Sequence, residues 1–411
     1  MNRRSFVGVG GAGVVACLPP WPDGFLNECI DGGVPEDLLQ HDLVRSAWEE
    51  IDPAQFWDCH VHLIGQGDGA SGAWVNPQMR SLLNPLQYLQ YRFYLNAACA
   101  DPDTANLDRA YVQRLVKLKR ALRPGARLML LAFDYTYDTD GRRLPELTAF
   151  HIPNAYAQAV AAEYRDDLEW IASIHPYRED AVEALGASIE AGARAIKWLP
   201  PAMGIDPAAP QCDRLYTAMA AANIPLLVHA GEEKAVHGPA RQEYGNPLRM
   251  RRALEHGVRV IVAHCASLGT GDDYDNAGAR ASNFALFARL MDDVRYEKLL
   301  FGDISAMTQF NRLYEPFEAI LAREEWHARL INGSDYPLPG VVPLFSLGGM
   351  VERGYFSQVD ADVLAEIRRY NPLLFDLVVK RSIRHRDKRL PARVFMTKRH
   401  FIGPSVSPAV G

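Results

Sequence analysis

Two histidines stand one residue apart in the stretch FWDCHVHLIG: His60 and His62, behind a short apolar run. In an extended strand residues i and i+2 project from the same face, so the two imidazoles could converge on one metal ion. In a loop they would be two unrelated polar groups. Three further groups sit at comparable places. His229 closes the apolar run of IPLLVHAGEE, His264 closes that of VIVAHCAS, and Asp335 follows that of RLINGSDYP. Any one of them alone is unremarkable. Together they are hard to assign to packing, because a buried imidazole or carboxylate is costly unless it is paired or liganded. A divalent metal ion is the partner that such a set would share.

Positioning these groups requires a frame that repeats. Short apolar runs recur at Phe56–His62, Arg127–Phe133, Leu168–His175, Ala193–Leu199, Ile224–Ala230, Val258–His264, Lys298–Ile304 and Arg329–Ser334. Most are continuously apolar rather than alternating, the pattern of parallel strands buried on both faces. Helical patterns lie between them. Glu179–Ala191 is amphipathic, with Pro176 ahead and Gly192 as a stop; Cys212–Ala222 and Pro247–His256 follow the same rhythm. Strand–helix units repeated in this way predict an α/β fold, a (β/α)8 TIM barrel, whose site residues sit at the C-terminal ends of the strands. Long insertions follow strand 1 (residues 66–125) and strand 2 (134–166), on the side where loops cap the site. Their aromatics and arginines, including Trp74, Arg80, Tyr88, Tyr91, Arg92, Tyr94, Tyr135 and Tyr137, either line that site or form a core of their own.

The frame places a barrel at 51–384, insertions included, with flanks of different character. Residues 1–22, MNRRSFVGVGGAGVVACLPPWP, have a paired arginine, a short apolar middle and small residues near the end, the layout of an export signal. The start resembles a twin-arginine signal, and Val14–Cys17 a lipoprotein cleavage box that would attach lipid to Cys17. The expected location is the bacterial cell envelope or periplasm, with a lipid anchor as an alternative to a free protein. Residues 23–50 read as a linker with a helical piece from Pro35 to Trp48. Residues 385–411 read as a basic surface arm, poor in core residues. The 6 cysteines match neither a zinc ribbon nor a disulfide framework, and no essential disulfide is expected. A net charge of −6 supplies no basic field for nucleic acid, which leaves a small molecule as the expected partner. A homo-oligomer is compatible with the sequence, which does not specify one.

The order His-x-His after strand 1, His after strand 5, His after strand 6 and Asp after strand 8 resembles the amidohydrolase superfamily. The nearest likeness is to its amidohydrolase-related (amidohydrolase 2) branch of hydrolases and decarboxylases. Arg369–Phe375 resembles the Asn-led closing helix of that branch, and the likeness covers roughly residues 55–382. It implies that His60, His62, His229 and Asp335 hold one divalent ion, zinc first, with manganese, iron or cobalt as alternatives. It implies further that Asp335 takes a proton from the activated water and that His264 polarises the scissile carbonyl or holds the water. Lys197, in ARAIKWLPP on strand 4, would bridge a second metal if carboxylated; otherwise it would bind a substrate carboxylate or pair with an acid.

Asp58, Glu232 and Asp303 are candidate supports for the ligands. Asp58 precedes His60 by two residues and is expected on the same face, with Cys59 and Val61 turned to the helices. Glu232 and Glu233 follow His229, and Asp303 ends strand 7. The expected activity is metal-dependent hydrolysis of an amide, lactone or ester. The alternatives are a decarboxylase, whose cationic anchor would come from Arg80, Arg92, Arg178 or Lys197, and a non-catalytic metal- or ligand-binding barrel.

Overall fold

A computed structural model describes residues 24–101 and 104–402. The expected export signal and the cleavage box at Cys17 lie outside them. Eight parallel strands occur where the apolar runs predict them: β1 Trp57–His62, β2 Arg127–Leu131, β3 Leu168–Ile171, β4 Ile196–Trp198, β5 Leu226–His229, β6 Val260–Ala263, β7 Leu300–Asp303 and β8 Leu330–Ile331. β1–β3 form one sheet and β4–β8 another. Two seams join them. Ala172, just past β3, pairs with Ile196 of β4, and Val61 of β1 pairs with Tyr336, just past β8. Across these seams Ala172 N–H donates to Ala195 at 3.0 Å and His62 N–H to Tyr336 at 2.9 Å. The strands therefore close into a barrel.

Strands this short are stable only because both faces are covered. Inside the barrel, Met129, Leu131, Ile171, Leu227, Ile261 and Ile331 pack together; a larger core fills the space between strands and helices. The helices follow local rules. Helix Ala181–Glu190 buries Ala181, Leu185 and Ser188. Helix Pro372–Ser382 starts with Pro372 at its first turn, and the Asn371 side chain accepts from the N–H groups of Leu373 and Leu374.

Three features depart from the sequence reading. First, β1 carries a bulge: Asp58 pairs with Leu128, but Val61 pairs with Leu130. Three steps on β1 match two on β2, so one extra residue breaks the alternation. Cys59 therefore packs with the barrel interior rather than the helices, while His60 and His62 still face the mouth. Asp58 is on the other side, near Lys380 of the closing helix, not one layer below His60. Second, the C-terminal segment is no surface arm. Leu390, Val394, Phe395 and Thr397 are fully buried, and Phe401 packs with the interior cluster. Thr397 Oγ1 accepts from Trp57 N–H at 3.0 Å at the N-terminal end of β1. The segment closes the end of the barrel opposite the histidines, and its basic residues are the outer face of a plug. Third, Cys29 and Cys99 form a disulfide, where none was expected. It ties the 24–31 segment to the end of helix Pro85–Ala97. Asn27 N–H donates to Asn96 Oδ1 at 2.8 Å beside it. No helix among the described residues is long and apolar enough to cross a membrane.

The cross-link closes a loop of 70 residues, which restricts the unfolded chain and stabilises by about 2–4 kcal/mol. Thiol titration in denaturant should gain two thiols per chain on adding reductant. C29S should lower the unfolding midpoint, and C99S should do so by the same amount.

Candidate functional site

β1, β5, β6 and the turn after β8 bring the five predicted groups to one mouth. Asp335 is at its centre. Its Oδ1 lies 3.0 Å from His62 Nε2 and 3.4 Å from His60 Nε2, and its Oδ2 lies 3.8 Å from His264 Nε2. The rings of His60 and His264 stack at 5.2 Å, and those of His229 and His264 meet edge-on at 5.3 Å. Asp335 adopts a left-handed backbone (φ 61°), as do His264, Cys265 and Ala266 in succession (φ 56°, 48° and 51°). Non-glycine residues rarely take that conformation, and strain of this kind concentrates where side-chain aim matters. Gly333 permits the close approach of the last seam: a Cβ there would meet His60 Cβ at 2.6 Å and Asp303 Oδ1 at 2.9 Å.

The rings are held from behind. His60 Nδ1 contacts Asp303 Oδ2 at 2.7 Å, so its Nε2 faces Asp335. His264 Nδ1 contacts the Ser305 carbonyl at 3.0 Å, which turns its Nε2 to the mouth. Ser305 Oγ donates to Asp303 Oδ2 at 2.6 Å and lies 3.1 and 2.9 Å from the two Nδ1 atoms, so one hydroxyl ties both rings to one carboxylate. Asp303 thus braces His60 from behind, and Ser305 is an addition that sequence reasoning missed. Its signal was available in the FGDIS run, two residues beyond Asp303. Asp58 reaches the site through backbone: its Oδ1 accepts from His60 N–H at 3.1 Å and Ser334 N–H at 2.8 Å. Glu232 does not join the centre. It is partly exposed and pairs with Lys234 at 3.3 Å. Its neighbour Glu233 is buried instead, with Oε2 3.4 Å from His229 Nε2 and Oε1 accepting from Ala235 and Val236 N–H. Lys197 is in the interior beneath the mouth, its Nζ 3.1 Å from His60 Nε2.

Electrostatics make this a set of ligands rather than a set of ion pairs. Burial holds the pKa values of His60, His229 and His264 below the usual histidine range, and neighbouring cations add to the effect. These rings are neutral near pH 7. Burial pushes Asp335 up, but His60, His264 and His62 outweigh it and hold the carboxyl well below the ordinary range. Burial also lowers Lys197 and raises Glu233. His60, His62 and Asp335 offer ligand atoms that all lie within 4.8 Å of one another. His229 is outside that tight group, yet its buried Nε2 has no hydrogen-bond partner and faces the Glu233 carboxyl. A lone pair turned toward a carboxyl oxygen calls for a cation or a proton between them. Neutral imidazoles with one ionised carboxylate suit a divalent ion, and a metal fits these residues.

Of the proposed cationic anchors, Arg80 and Arg92 are exposed, and Arg178 is committed to Asp134 and Asp180. Lys197 is buried and lines the cavity, and a second buried cation there is Arg312, on the segment after β7, which the sequence reading missed because no motif marks it. His175, another strand-end histidine, is tied to the Met203 carbonyl at 3.0 Å and plays a structural part.

The insertions roof the mouth. The cap helix Pro85–Ala97 supplies Gln90, Tyr91, Phe93, Tyr94 and Leu95 to a cavity of about 460 Å³ whose floor is the histidine cluster. Tyr94 Oη donates to the Ala235 carbonyl at 2.8 Å and Gln90 Nε2 to that of Lys234 at 2.7 Å, anchoring the cap to the loop after His229. Trp74–Val75 pairs antiparallel with Phe150–His151, joining the two insertions. Tyr91 and Tyr94 therefore line the cavity, whereas Trp74 and Tyr135 pack together, with Tyr135 stacked on His151.

A closed parallel barrel thus carries at its C-terminal mouth a histidine–carboxylate cluster that could hold a metal ion. The amidohydrolase family model matches residues 57–373, and the chain belongs to that family. No curated protein matches it in sequence. Among solved structures, an uncharacterised TIM-barrel protein of Bordetella bronchiseptica is 15% identical, covering 77% of this chain and 97% of its own, with TM-score 0.45. A probable 2-pyrone-4,6-dicarboxylic acid hydrolase of Acinetobacter baumannii is 12% identical, covering 78% and 97%, with TM-score 0.45. The 5-carboxyvanillate decarboxylase of Sphingomonas paucimobilis is 9% identical, covering 77% and 95%, with TM-score 0.41.

Two predictions follow from this geometry. D303N removes the charge that orients His60 and should weaken zinc affinity about 10–100-fold by competition titration, with the fold intact by circular dichroism. Asp58, buried, is pushed up to about 6. Its folded pKa lies above the unfolded value, so its contribution is complete below about pH 4 and lost as pH rises through about 6. Comparing wild type with D58N by denaturant unfolding at pH 5 and pH 8 should show a smaller loss of stability in the variant, by on the order of 1–3 kcal/mol.

Proposed function

We propose that the protein is a metal-dependent hydrolase that adds water across an amide, lactone or ester bond of a small molecule. The observation that carries this reading is the meeting of Asp335 with His60, His62 and His264 under a roofed cavity. His60, His62, His229 and Asp335 would hold one divalent ion, zinc first. When bound, that ion supplies Lewis acidity and makes water a nucleophile at neutral pH.

The rest belongs to the protein. Asp335, ionised at neutral pH, accepts the proton of the attacking water and passes it to the leaving nitrogen or oxygen. His264, with Nδ1 engaged by Ser305, presents Nε2 as an acceptor that orients that water. The hydroxyl joins the acyl carbon, the carbon–nitrogen or carbon–oxygen bond breaks, and an acid and an amine or alcohol leave. Lys197, whose pKa burial lowers and whose Nζ is adjacent to His60, acts in this reading as a positioning partner rather than a metal bridge.

A second reading, decarboxylation of a carboxylic acid at the same centre, is favoured by the buried Arg312 guanidinium, which could hold a substrate acid beside the histidines. Export to the envelope is proposed on the N-terminal pattern, and the Cys29–Cys99 disulfide supports it, since such bonds persist in oxidising compartments.

Zinc-loaded protein screened against amides, lactones, esters and aromatic acids should cleave a member of the first three classes, with one ¹⁸O from labelled water entering the acid product. Release of CO2 with no ¹⁸O-labelled acid product would select the lyase instead. H264N and D335N should each lower kcat at least about 10²-fold. A non-catalytic barrel would show no turnover to lose. Elemental analysis should give one metal per chain; two, with a carboxylated Lys197, would overturn the single-ion reading.

A further inference from the structure

We infer that the ligand of this site is an amphiphile, with one carboxylate or acyl group set beside the histidines and a hydrocarbon body filling the cavity under the cap. The inference rests on the reading of the mouth as the place of reaction, and on two observations within it.

The first is the wall. Above the histidine floor the cavity is lined by Val75, Met79, Phe93, Phe150, Val341 and Leu344, contributed by both insertions and by the segment after β8. These side chains offer no hydrogen bonds to a polar ligand. They gain from apolar contact, and at about 460 Å³ the space is within the range of small-molecule sites.

The second is a pair of buried donors at the floor. Arg312 and Gln309 both line the cavity from the segment after β7, and are only 8% and 4% exposed. Arg312 Nη1 donates to Ser267 Oγ at 3.2 Å. Its Nε has no hydrogen-bond partner, and neither does Gln309 Nε2. Buried donors are ordinarily satisfied, and a buried guanidinium ordinarily meets an anion. Both residues line the cavity and each keeps a buried N–H that the protein leaves unpaired, one of them on a cation, so an oxygen-bearing ligand group drawn in beside them would meet donors in want of an acceptor. The charge of Arg312 acts on Asp335, Glu233, His229 and His264, which places that guanidinium beside the reacting centre and not at the far end of the cavity.

The two observations set opposite demands that one kind of molecule meets. A small diacid would leave its second carboxylate against hydrocarbon. Of the other cations lining the cavity, Lys197 is at the floor, its Nζ 3.1 Å from His60 Nε2, and Lys234 is largely exposed and paired with Glu232, so neither serves an acid group held against the wall. A plain hydrocarbon would leave Arg312 and Gln309 unsatisfied. An alkyl or arylalkyl chain ending in a single acid or acyl group satisfies both. The inference holds for hydrolysis, where the acid is the product, and for decarboxylation, where it is the substrate.

The test is calorimetric titration of the zinc-loaded protein with decanoate, succinate and decan-1-ol. Decanoate should bind at least tenfold more tightly than either of the others. R312M and Q309L should each weaken decanoate at least tenfold without changing the zinc content, and R312K should fall between R312M and wild type. L344E, in the wall, should weaken decanoate and leave succinate unchanged. Succinate binding as tightly as decanoate, or R312M binding decanoate as wild type does, would overturn the inference. Should R312M fail to fold, Q309L, L344E and the wild-type series decide it. Binding is read without turnover, so absence of ¹⁸O incorporation would sink the hydrolytic reading while leaving this one standing.

Discussion

Asp335 is a carboxylate taken out of water and surrounded by imidazoles, and much of the barrel's construction answers to that burial. A lone buried anion is costly, and the nitrogens of His60, His62 and His264 gathered round it form the setting in which a bound cation would offset that cost. Those rings are in turn useful only if they stay neutral and aimed. Burial secures the first for His60 and His264, and Asp303 with Ser305 secures the second for the same two. The seam between β8 and β1 must therefore close tightly, and Gly333 and the left-handed Asp335 are the local cost of that closure.

The same constraint explains the bulge in β1. Strict alternation would place Trp57, Cys59 and Val61 on one face and Asp58, His60 and His62 on the other. The extra residue between Asp58 and Val61 lets the lower half of β1 keep Trp57 and Cys59 in the apolar interior while the upper half turns both histidines into the mouth. Asp58 is displaced to the helix side, where its carboxylate steadies the backbone of His60 and Ser334. The strand serves a dry barrel below and a polar centre above, and one inserted residue separates the two duties.

What the sequence made legible is what repeats or sits at a strand end. All eight strands, the barrel and the five groups at its mouth follow from apolar runs and their final residues. The period-2 pattern carries no mark for a bulge, so the faces of Cys59 and Asp58 were misread. The C-terminal plug was misread because basic residues dominate its composition, while Leu390, Val394, Phe395 and Phe401 carry its packing. Cys29 and Cys99 are 70 residues apart, with nothing local to pair them. Between Glu232 and Glu233 the choice depends on how the loop turns after His229, and a one-residue difference in a loop moves a carboxylate from solvent to the centre.

Arg312 shows why the substrate end of such a site is harder to read than the metal end. A metal fixes ligand types and geometry, so its residues recur at the ends of strands, where the frame itself announces them. A substrate fixes only a shape and a few charges, and any loop that reaches the mouth can supply them. Here the cap helix brings Tyr91, Phe93 and Tyr94, the second insertion brings Phe150, and the segment after β7 brings Gln309 and Arg312. The cap is fastened by Tyr94 and Gln90 to the loop that begins at His229, and by the disulfide to the chain ahead of the barrel. The roof over the cavity is thereby fastened to the strand that ends in His229, through the same loop that buries Glu233 against that ring.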